Sequence, residues 1–223
     1  MTPRAAILGK IRSALSGAAD DAARRAAVEA RLSKTPKGVI PARGQLDDVS
    51  RIDLFCAMAE KVTCSVARVR SHDHVPKAVS DYLRARNLPH AIRVGDDKRL
   101  KTLPWDQIKT LEIRRGASDG LDEAGLSHAL AGVAETGTLV LASGKDNPTT
   151  INFLPEHHIV VVDAKDIAGD LETVMAKVRR KFGKGEMPRT LNLITGPSRS
   201  GDIEQKIILG AHGPRAVHLI VVG

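Results

Sequence analysis

The chain is poor in the residues that build metal centres and stack on bases. It has only two cysteines, Cys56 and Cys64, among 223 residues. Two thiols are too few for a disulfide framework, a cysteine-rich zinc site or an iron–sulfur cluster. Aromatic residues make up 2% of the chain, which argues against binding of single-stranded nucleic acid, because bases stack on aromatic side chains. The core must therefore be built from Val, Leu, Ile and Ala.

Long apolar runs and familiar catalytic motifs are also missing. No run approaches the roughly 20 apolar residues of a membrane helix, and the basic N-terminus lacks the apolar core of a signal peptide. Walker, Rossmann, HExxH and nucleophile-elbow motifs do not occur. We expect a soluble, cytoplasmic protein with no membrane partner.

The net charge of +8 is concentrated at the N-terminus. Residues 1–45 carry nine Lys or Arg and three Asp or Glu, whereas residues 46–223 carry 25 and 23. Such a basic segment forms a solvated helical face, contacts an acidic partner or binds nucleic acid. Nucleic acid is the least favoured of these three interpretations.

Two domains are expected. Residues 1–45 form a helical arm and a linker, because two helical patterns are followed by a stretch with Pro36, Gly38, Pro41 and Gly44. Residues 46–223 form an α/β domain, in which helical patterns alternate with short apolar runs. The predicted strands lie at 63–69, 90–94, 111–113, 138–142, 159–162, 191–194 and 217–222.

Several of these runs are unbroken rather than alternating. That pattern is typical of a largely parallel sheet whose two faces are both covered by helices.

Three loops between these elements are candidates for a ligand site. They are Glu135–Thr138, Thr195–Glu204 and Gly210–Pro214. Glycine lets the backbone approach a ligand, and hydroxyl and guanidinium groups donate hydrogen bonds to an anion. A helix beginning at Ser200 or Asp202 would add free backbone N–H groups. The candidate ligands of a phosphate or carboxylate are Thr136, Gly137, Thr138, Gly196, Ser198, Arg199, Ser200 and Gly213.

A tight turn with a capped helix explains the same residues without a ligand. Two side chains in these loops are candidate catalytic groups. Glu135 suits a nucleophile or base, and the alternative is a carboxylate that accepts hydrogen bonds from nearby backbone N–H groups. His212 suits an acid–base group, and the alternative is a loop histidine bonded to backbone.

No metal site is predicted. His157 and His158 are adjacent in a strand and must point to opposite faces. His72 and His74 have no third ligand that spacing identifies.

Four segments resemble the LUD domain of the lactate-utilisation protein C (LutC/YkgG) family. They are Ala134–Leu141, Leu154–Val161, Thr195–Glu204 and Leu209–Pro214, and the resemblance extends over roughly residues 46–222. It implies a fold similar to the NagB/RpiA/CoA-transferase group. It transfers no catalytic residue, although Glu135-Thr136-Gly137 is similar to the Glu-x-Gly of the CoA-transferase branch.

The resemblance also implies a function. Members act with two iron–sulfur proteins, LutA-like and LutB-like, in oxidising L-lactate to pyruvate. The chain lacks the ferredoxin-like cysteines of the LutB type, so it is expected to bind no cofactor itself and to be the non-redox subunit. The alternative is a stand-alone ligase or transferase that uses a nucleotide or acyl-CoA.

Overall fold

The computed structural model describes residues 2–16, 21–183, 185–203 and 206–223. The helices of at least four residues are α1 (Pro3–Ser16), α2 (Asp21–Lys34), α3 (Asp48–Lys61), α4 (Val75–Ala85), α5 (Lys98–Lys101), α6 (Thr149–Phe153) and α7 (Leu171–Phe182). The strands are β1 (Ser65–Val69), β2 (Ala91–Val94), β3 (Glu112–Arg115), β4 (Ala124–His128), β5 (Ala131–Val133), β6 (Thr138–Ala142), β7 (His157–Asp163), β8 (Ile167–Ala168), β9 (Leu191–Ile194), β10 (Arg199–Ile203), β11 (Lys206–Leu209) and β12 (Ala216–Val222).

The chain divides into two compact units, Met1–Gly38 and Val39–Gly223. The first contains α1 and α2, and the second contains every other element. Apolar side chains of α1 and α2 are exposed, among them Ile7, Ile11, Leu15, Val28 and Leu32.

A six-stranded parallel sheet is the centre of the second unit. Its strand order is β1-β12-β7-β4-β2-β3, and each adjacent pair runs parallel. The central strands β7 and β12 are buried along almost their whole length. This confirms the prediction of a largely parallel α/β sheet, because strands covered on both faces need apolar side chains at consecutive positions.

The two faces of this sheet pack against different layers. Val161 and Ile220 face a core that includes Leu83 of α4 and Leu100 of α5. Alternate residues of the same strands face the other core, which contains Phe55 of α3 and Leu139 of β6. Helix α3 and a second sheet therefore cover this other face together.

The second sheet has the order β8-β5-β6-β9 and includes antiparallel pairs. The sequence predicts β6 and β9 as strands but not β4 or β5. These two strands are rich in small residues, with Gly125 and Ser127 in β4 and Gly132 in β5. Small residues give little of the hydrophobic pattern from which strands are predicted.

The predicted helix at Ser200 or Asp202 is wrong. Residues Arg199–Ile203 instead pair antiparallel with Lys206–Leu209 as a two-stranded hairpin. Isoleucine at positions 203, 207 and 208 favours an extended backbone. The hydrogen bonds between the two strands pair backbone N–H groups that would be unpaired in the first turn of a helix. Glu204, the last residue of this candidate loop, lies outside the described residues.

Among the described residues, none of the helices is both long enough and apolar enough to cross a membrane.

Candidate functional site

The second and third candidate loops meet at Ser198. Its backbone N–H donates to the carbonyl of Pro214 (2.9 Å), and its own carbonyl accepts from Gly210 N–H (3.0 Å). Its hydroxyl accepts from the backbone N–H of His212 (3.3 Å). Ser198 therefore holds the loop after β9 against the loop before β12.

A hydroxyl chain joins the first loop to the second. Thr138 Oγ1 lies 2.7 Å from Thr136 Oγ1 and 2.7 Å from Thr195 Oγ1. The contact follows from the antiparallel pairing of β6 with β9, which places Leu139 opposite Ile194.

A cavity of about 310 Å³ lies where these loops reach the parallel sheet. Its lining includes five of the predicted site residues: Gly196, Ser198, Arg199, His212 and Gly213. Two fully buried polar side chains, Asn152 of α6 and His158 of β7, also line it. Neither of these two was predicted as a site residue.

Asn152 and His158 are linked through Ser127 of β4. The Ser127 hydroxyl donates to Asn152 Oδ1 (2.7 Å) and lies 3.1 Å from His158 Nε2. Since the single serine proton goes to the amide oxygen, His158 must donate its own Nε2–H to Ser127. The other ring nitrogen, Nδ1, is therefore an acceptor.

This network leaves one donor and one acceptor free. Within the described residues, neither Asn152 Nδ2 nor His158 Nδ1 has a hydrogen-bond partner, and both atoms are buried. Burial lowers the pKa of His158 to about 3, so the ring is neutral at physiological pH. Buried polar atoms are normally paired, and both residues line the cavity, so the cavity suits a ligand that has an acceptor beside a hydroxyl.

The sequence does contain a signal for His158. His157 and His158 point to opposite faces, as predicted: His157 Nδ1 contacts the Tyr82 hydroxyl (2.8 Å), whereas His158 contacts Ser127. A histidine that replaces an apolar residue on the inner face of a buried strand is itself a candidate for a buried polar site. Asn152, followed by the apolar ring of Phe153, gives no comparable signal.

Arg199 lines the cavity, but its guanidinium also forms hydrogen bonds at the C-terminus of α3. Nη2 donates to the carbonyl of Val62 (2.8 Å) and to Thr63 Oγ1 (2.7 Å). Val62 is the C-cap of α3 and Thr63 follows with a φ of 67°. A cation at a helix C-terminus binds orphan carbonyls and is favoured by the helix dipole.

Replacing Arg199 with alanine is expected to lower the free energy of unfolding by about 1 kcal/mol, because it removes two hydrogen bonds from the end of α3. Urea unfolding followed by circular dichroism measures the loss. Arg215→Ala is the matched control, since Arg215 forms an exposed ion pair with Glu156 (3.4 Å), and such pairs contribute little. Equal losses in the two variants would contradict this role of Arg199.

Glu135 lies apart from the cavity, at the start of α7. Its Oε1 accepts from the backbone N–H of Leu171 (3.3 Å), and its Oε2 lies 3.8 Å from Arg43 Nε. The carboxylate is buried and stands at the positive end of the helix dipole. Its geometry matches the alternative of a carboxylate bonded to backbone N–H, and a catalytic role stays a prediction.

The remaining predicted residues also lie outside the cavity lining. Thr136 and Thr138 belong to the hydroxyl chain, Gly137 packs on α3, and Ser200 pairs with Ile208 in the hairpin. The structure thus brings five of the ten predicted residues to one cavity.

Comparison with known proteins gives a consistent assignment. The family model of the LUD domain matches residues 52–222. A crystal structure of a duf162 family protein from Deinococcus radiodurans has a similar fold, with a TM-score of 0.61 and 20% identity over 80% of this chain and 99% of that one. Likeness to the NagB/RpiA/CoA-transferase group stays a prediction.

Curated relatives match mainly over segments. "Lactate utilization protein C" of Geobacillus sp. (strain WCH70) is 38% identical over 91 residues, which is 40% of this chain and 38% of the relative. The protein of that name from Halalkalibacterium halodurans is 34% identical over 119 residues, 52% of this chain and 51% of the relative. The chain therefore spans about half the length of these relatives or less. "Uncharacterized protein YkgG" of Escherichia coli (strain K12) is 27% identical over 79% of this chain and 82% of that protein.

Proposed function

This chain belongs to the LUD domain family, and on that basis we propose that it serves lactate utilisation as the non-redox component of an iron–sulfur system that oxidises L-lactate to pyruvate. The observation that carries the proposal is the name "lactate utilization protein C" of the relatives that match at 34–38% identity. In this proposal the electrons pass to LutA-like and LutB-like iron–sulfur partners, and this chain binds the small carboxylate.

The environment of the cysteines supports a role without a redox centre of its own. Cys56 and Cys64 are both buried in the core formed with α3. Burial raises the pKa of Cys56, and it raises the pKa of Cys64 to about 11. Both thiols therefore stay protonated, whereas cluster ligands are thiolates and four are needed.

The cavity supports a 2-hydroxycarboxylate as the ligand. Asn152 Nδ2 donates to a carboxylate oxygen, and His158 Nδ1 accepts the proton of the adjacent hydroxyl. The volume of about 310 Å³ is at the lower end for small-molecule sites, which favours a three-carbon acid over a nucleotide. A second cavity of about 610 Å³ shares Phe153, His212 and Gly213 with it, so a ligand larger than lactate would extend in that direction.

We expect purified protein to bind L-lactate, and Asn152→Ala to weaken that binding about tenfold, because the carboxylate loses a buried hydrogen bond. Propionate, which lacks the 2-hydroxyl, is expected to bind the parent about tenfold more weakly, since it leaves His158 Nδ1 unpaired. Isothermal titration calorimetry measures both affinities. Asn192→Ala is the matched control, because Asn192 is also a buried amide whose Nδ2 has no partner among the described residues.

Complementation in cells tests the same proposal at the level of the system. A deletion strain with no other lactate dehydrogenase is expected to lose growth on L-lactate. The parent gene and a gene that encodes Asn192→Ala are expected to restore this growth better than a gene that encodes Asn152→Ala. Normal growth of the deletion strain contradicts the proposal. A thermal shift with ATP or a CoA ester, and none with L-lactate, favours the ligase or transferase alternative instead.

A further inference from the structure

A second cluster of polar side chains lies at the opposite, carboxyl edge of the parallel sheet. Strand β4 ends at His128 and β7 ends at Asp163, and these neighbouring strands run parallel. His72 lies in the short turn that follows β1. The carboxyl edge is where open α/β sheets bind their ligands.

The three side chains converge. His72 Nε2 lies 2.8 Å from Asp163 Oδ1, and His128 Nε2 lies 3.6 Å from Asp163 Oδ2. One ligand atom from each residue lies within 4.8 Å of those of the other two. The two imidazole rings are nearly parallel, with an interplanar angle of 17°.

His128 points an unshared electron pair at this cluster. Its Nδ1 lies 2.9 Å from the carbonyl of Ala129, and a carbonyl only accepts, so Nδ1 carries a proton and the neutral ring has its lone pair on Nε2. The side chain is fully buried, and Nε2 has no hydrogen-bond partner in the described part of the chain. The Nε2 lone pair and the Asp163 carboxylate oxygen are both electron-rich and face each other. A cation between these two atoms would stabilise the arrangement.

We propose that His72, His128 and Asp163 bind a divalent transition-metal ion, with Zn²⁺ as the preferred ion. Two imidazoles and one carboxylate are a ligand set for Zn²⁺ and Fe²⁺. The Ala129 carbonyl fixes the tautomer of His128, as outer-shell acceptors do at metal sites. Ligand bonds of about 2.0–2.2 Å require the three atoms to draw closer, and His72, at 43% exposed, is the least buried of the three side chains.

The surroundings leave a coordination position open. A cavity of about 510 Å³ adjoins His72 and Asp163, and Arg51, Arg70 and Lys165 are among its lining residues. On the buried side, the charge of Arg99 is matched by Asp97, with Arg99 Nη2 2.6 Å from Asp97 Oδ2. Three protein ligands beside an open cavity are typical of catalytic rather than structural zinc sites. Arg51 is paired with Asp48, which also lines the cavity (2.7 Å), and Arg70 and Lys165 suit an anionic fourth ligand.

This proposal departs from the expectation that the chain binds no cofactor, and it does not depend on the role in lactate utilisation. The test uses the full chain without an affinity tag, freed of metal by a chelator and then titrated calorimetrically with ZnCl₂. We expect one Zn²⁺ per chain and an affinity at least about tenfold weaker in His72→Ala. His74→Ala is the matched control, because His74 is exposed on the same turn and its Nδ1 contacts Ser71 Oγ (3.0 Å).

Titration with Co²⁺ gives a second measurement that does not require the buried ligands to be changed. Its visible absorption bands report a site of low coordination number with nitrogen and oxygen ligands, and they are expected in the parent and in His74→Ala but not in His72→Ala. Equal Zn²⁺ affinities for His72→Ala and His74→Ala overturn the proposal, as does a parent chain that binds no Zn²⁺ at millimolar concentration.

Discussion

Lowering the pH from 7 to 5 is expected to reduce the free energy of unfolding by about 3 to 4 kcal/mol. Two buried imidazoles cause this loss. Burial lowers the pKa of His158 from 6.5 to about 3 and that of His218 from 6.5 to about 4. The contact of His218 with Ser65 raises its pKa and the charge of Arg86 lowers it, but burial is the larger influence.

The sign follows from the protons bound in each state. As the pH falls through 6.5, both histidines take up a proton in the unfolded chain but not in the folded one. The unfolded state therefore binds more protons down to about pH 4 for His218 and about pH 3 for His158, and stability rises with pH across that window. Each histidine contributes up to about 1.4 kcal/mol per pH unit.

Urea unfolding at pH 7, 6 and 5 measures the effect. The double variant His158→Gln/His218→Gln should lose less than half as much stability over this range, whereas the exposed control His74→Gln should behave like the parent. Ring ¹⁵N signals give an independent measurement: His158 and His218 should stay neutral at pH 5. A parent chain with the same free energy of unfolding at pH 7 and pH 5 would show that these imidazoles are not held neutral by the fold.

Gly137→Ala is expected to lower the free energy of unfolding by about 2 to 5 kcal/mol. Gly137 has a φ of +68°, and a Cβ at this position would lie 2.4 Å from the backbone nitrogen of Ala59 and 2.7 Å from the carbonyl carbon of Met58. The backbone conformation costs about 1–2 kcal/mol. Overpacking against the rigid backbone of α3 costs about 1–3 kcal/mol more.

Gly120→Ala separates these two contributions. Gly120 has a φ of +94°, and a Cβ there meets no heavy atom within 4 Å among the described residues. Its replacement should cost only the backbone contribution of about 1–2 kcal/mol. Equal losses in the two variants would mean that contact with α3 is not why residue 137 is glycine. The sequence interpretation of Gly137 as a ligand for an anion does not predict this difference.

The sequence predicts the parallel sheet well because its strands are chemically distinct. Val160, Val161 and Val162 form an unbroken apolar run, and both faces of that strand are buried. The run Leu139-Val140-Leu141 has the same pattern, yet it belongs to the second sheet, paired antiparallel to β9. An apolar run indicates that a strand is buried, but it does not indicate the direction of the neighbouring strand. The sequence therefore could not predict to which of the two sheets each strand belongs.

The two sites differ in how far sequence alone reaches them. The loops around Ser198 and Gly213 contain glycine and proline at local spacing, and they do meet at the cavity. His72, His128 and Asp163 are separated by 56 and 35 residues, and only the parallel pairing of distant strands brings them together. No local pattern records such a contact.

Two neighbouring strands each contribute to both sites, and this makes strand register decisive. Ser127 and His128 are consecutive in β4 and point to opposite faces, and β7 supplies His158 near its amino end and Asp163 at its carboxyl end. A slip of one residue in β4 exchanges the two faces. It would place an imidazole where the Ser127 hydroxyl links Asn152 to His158 and would remove one ligand from the cluster at the other edge. A single inserted or deleted residue before β4 that shifted this register would therefore disable both sites together, although their described lining residues differ.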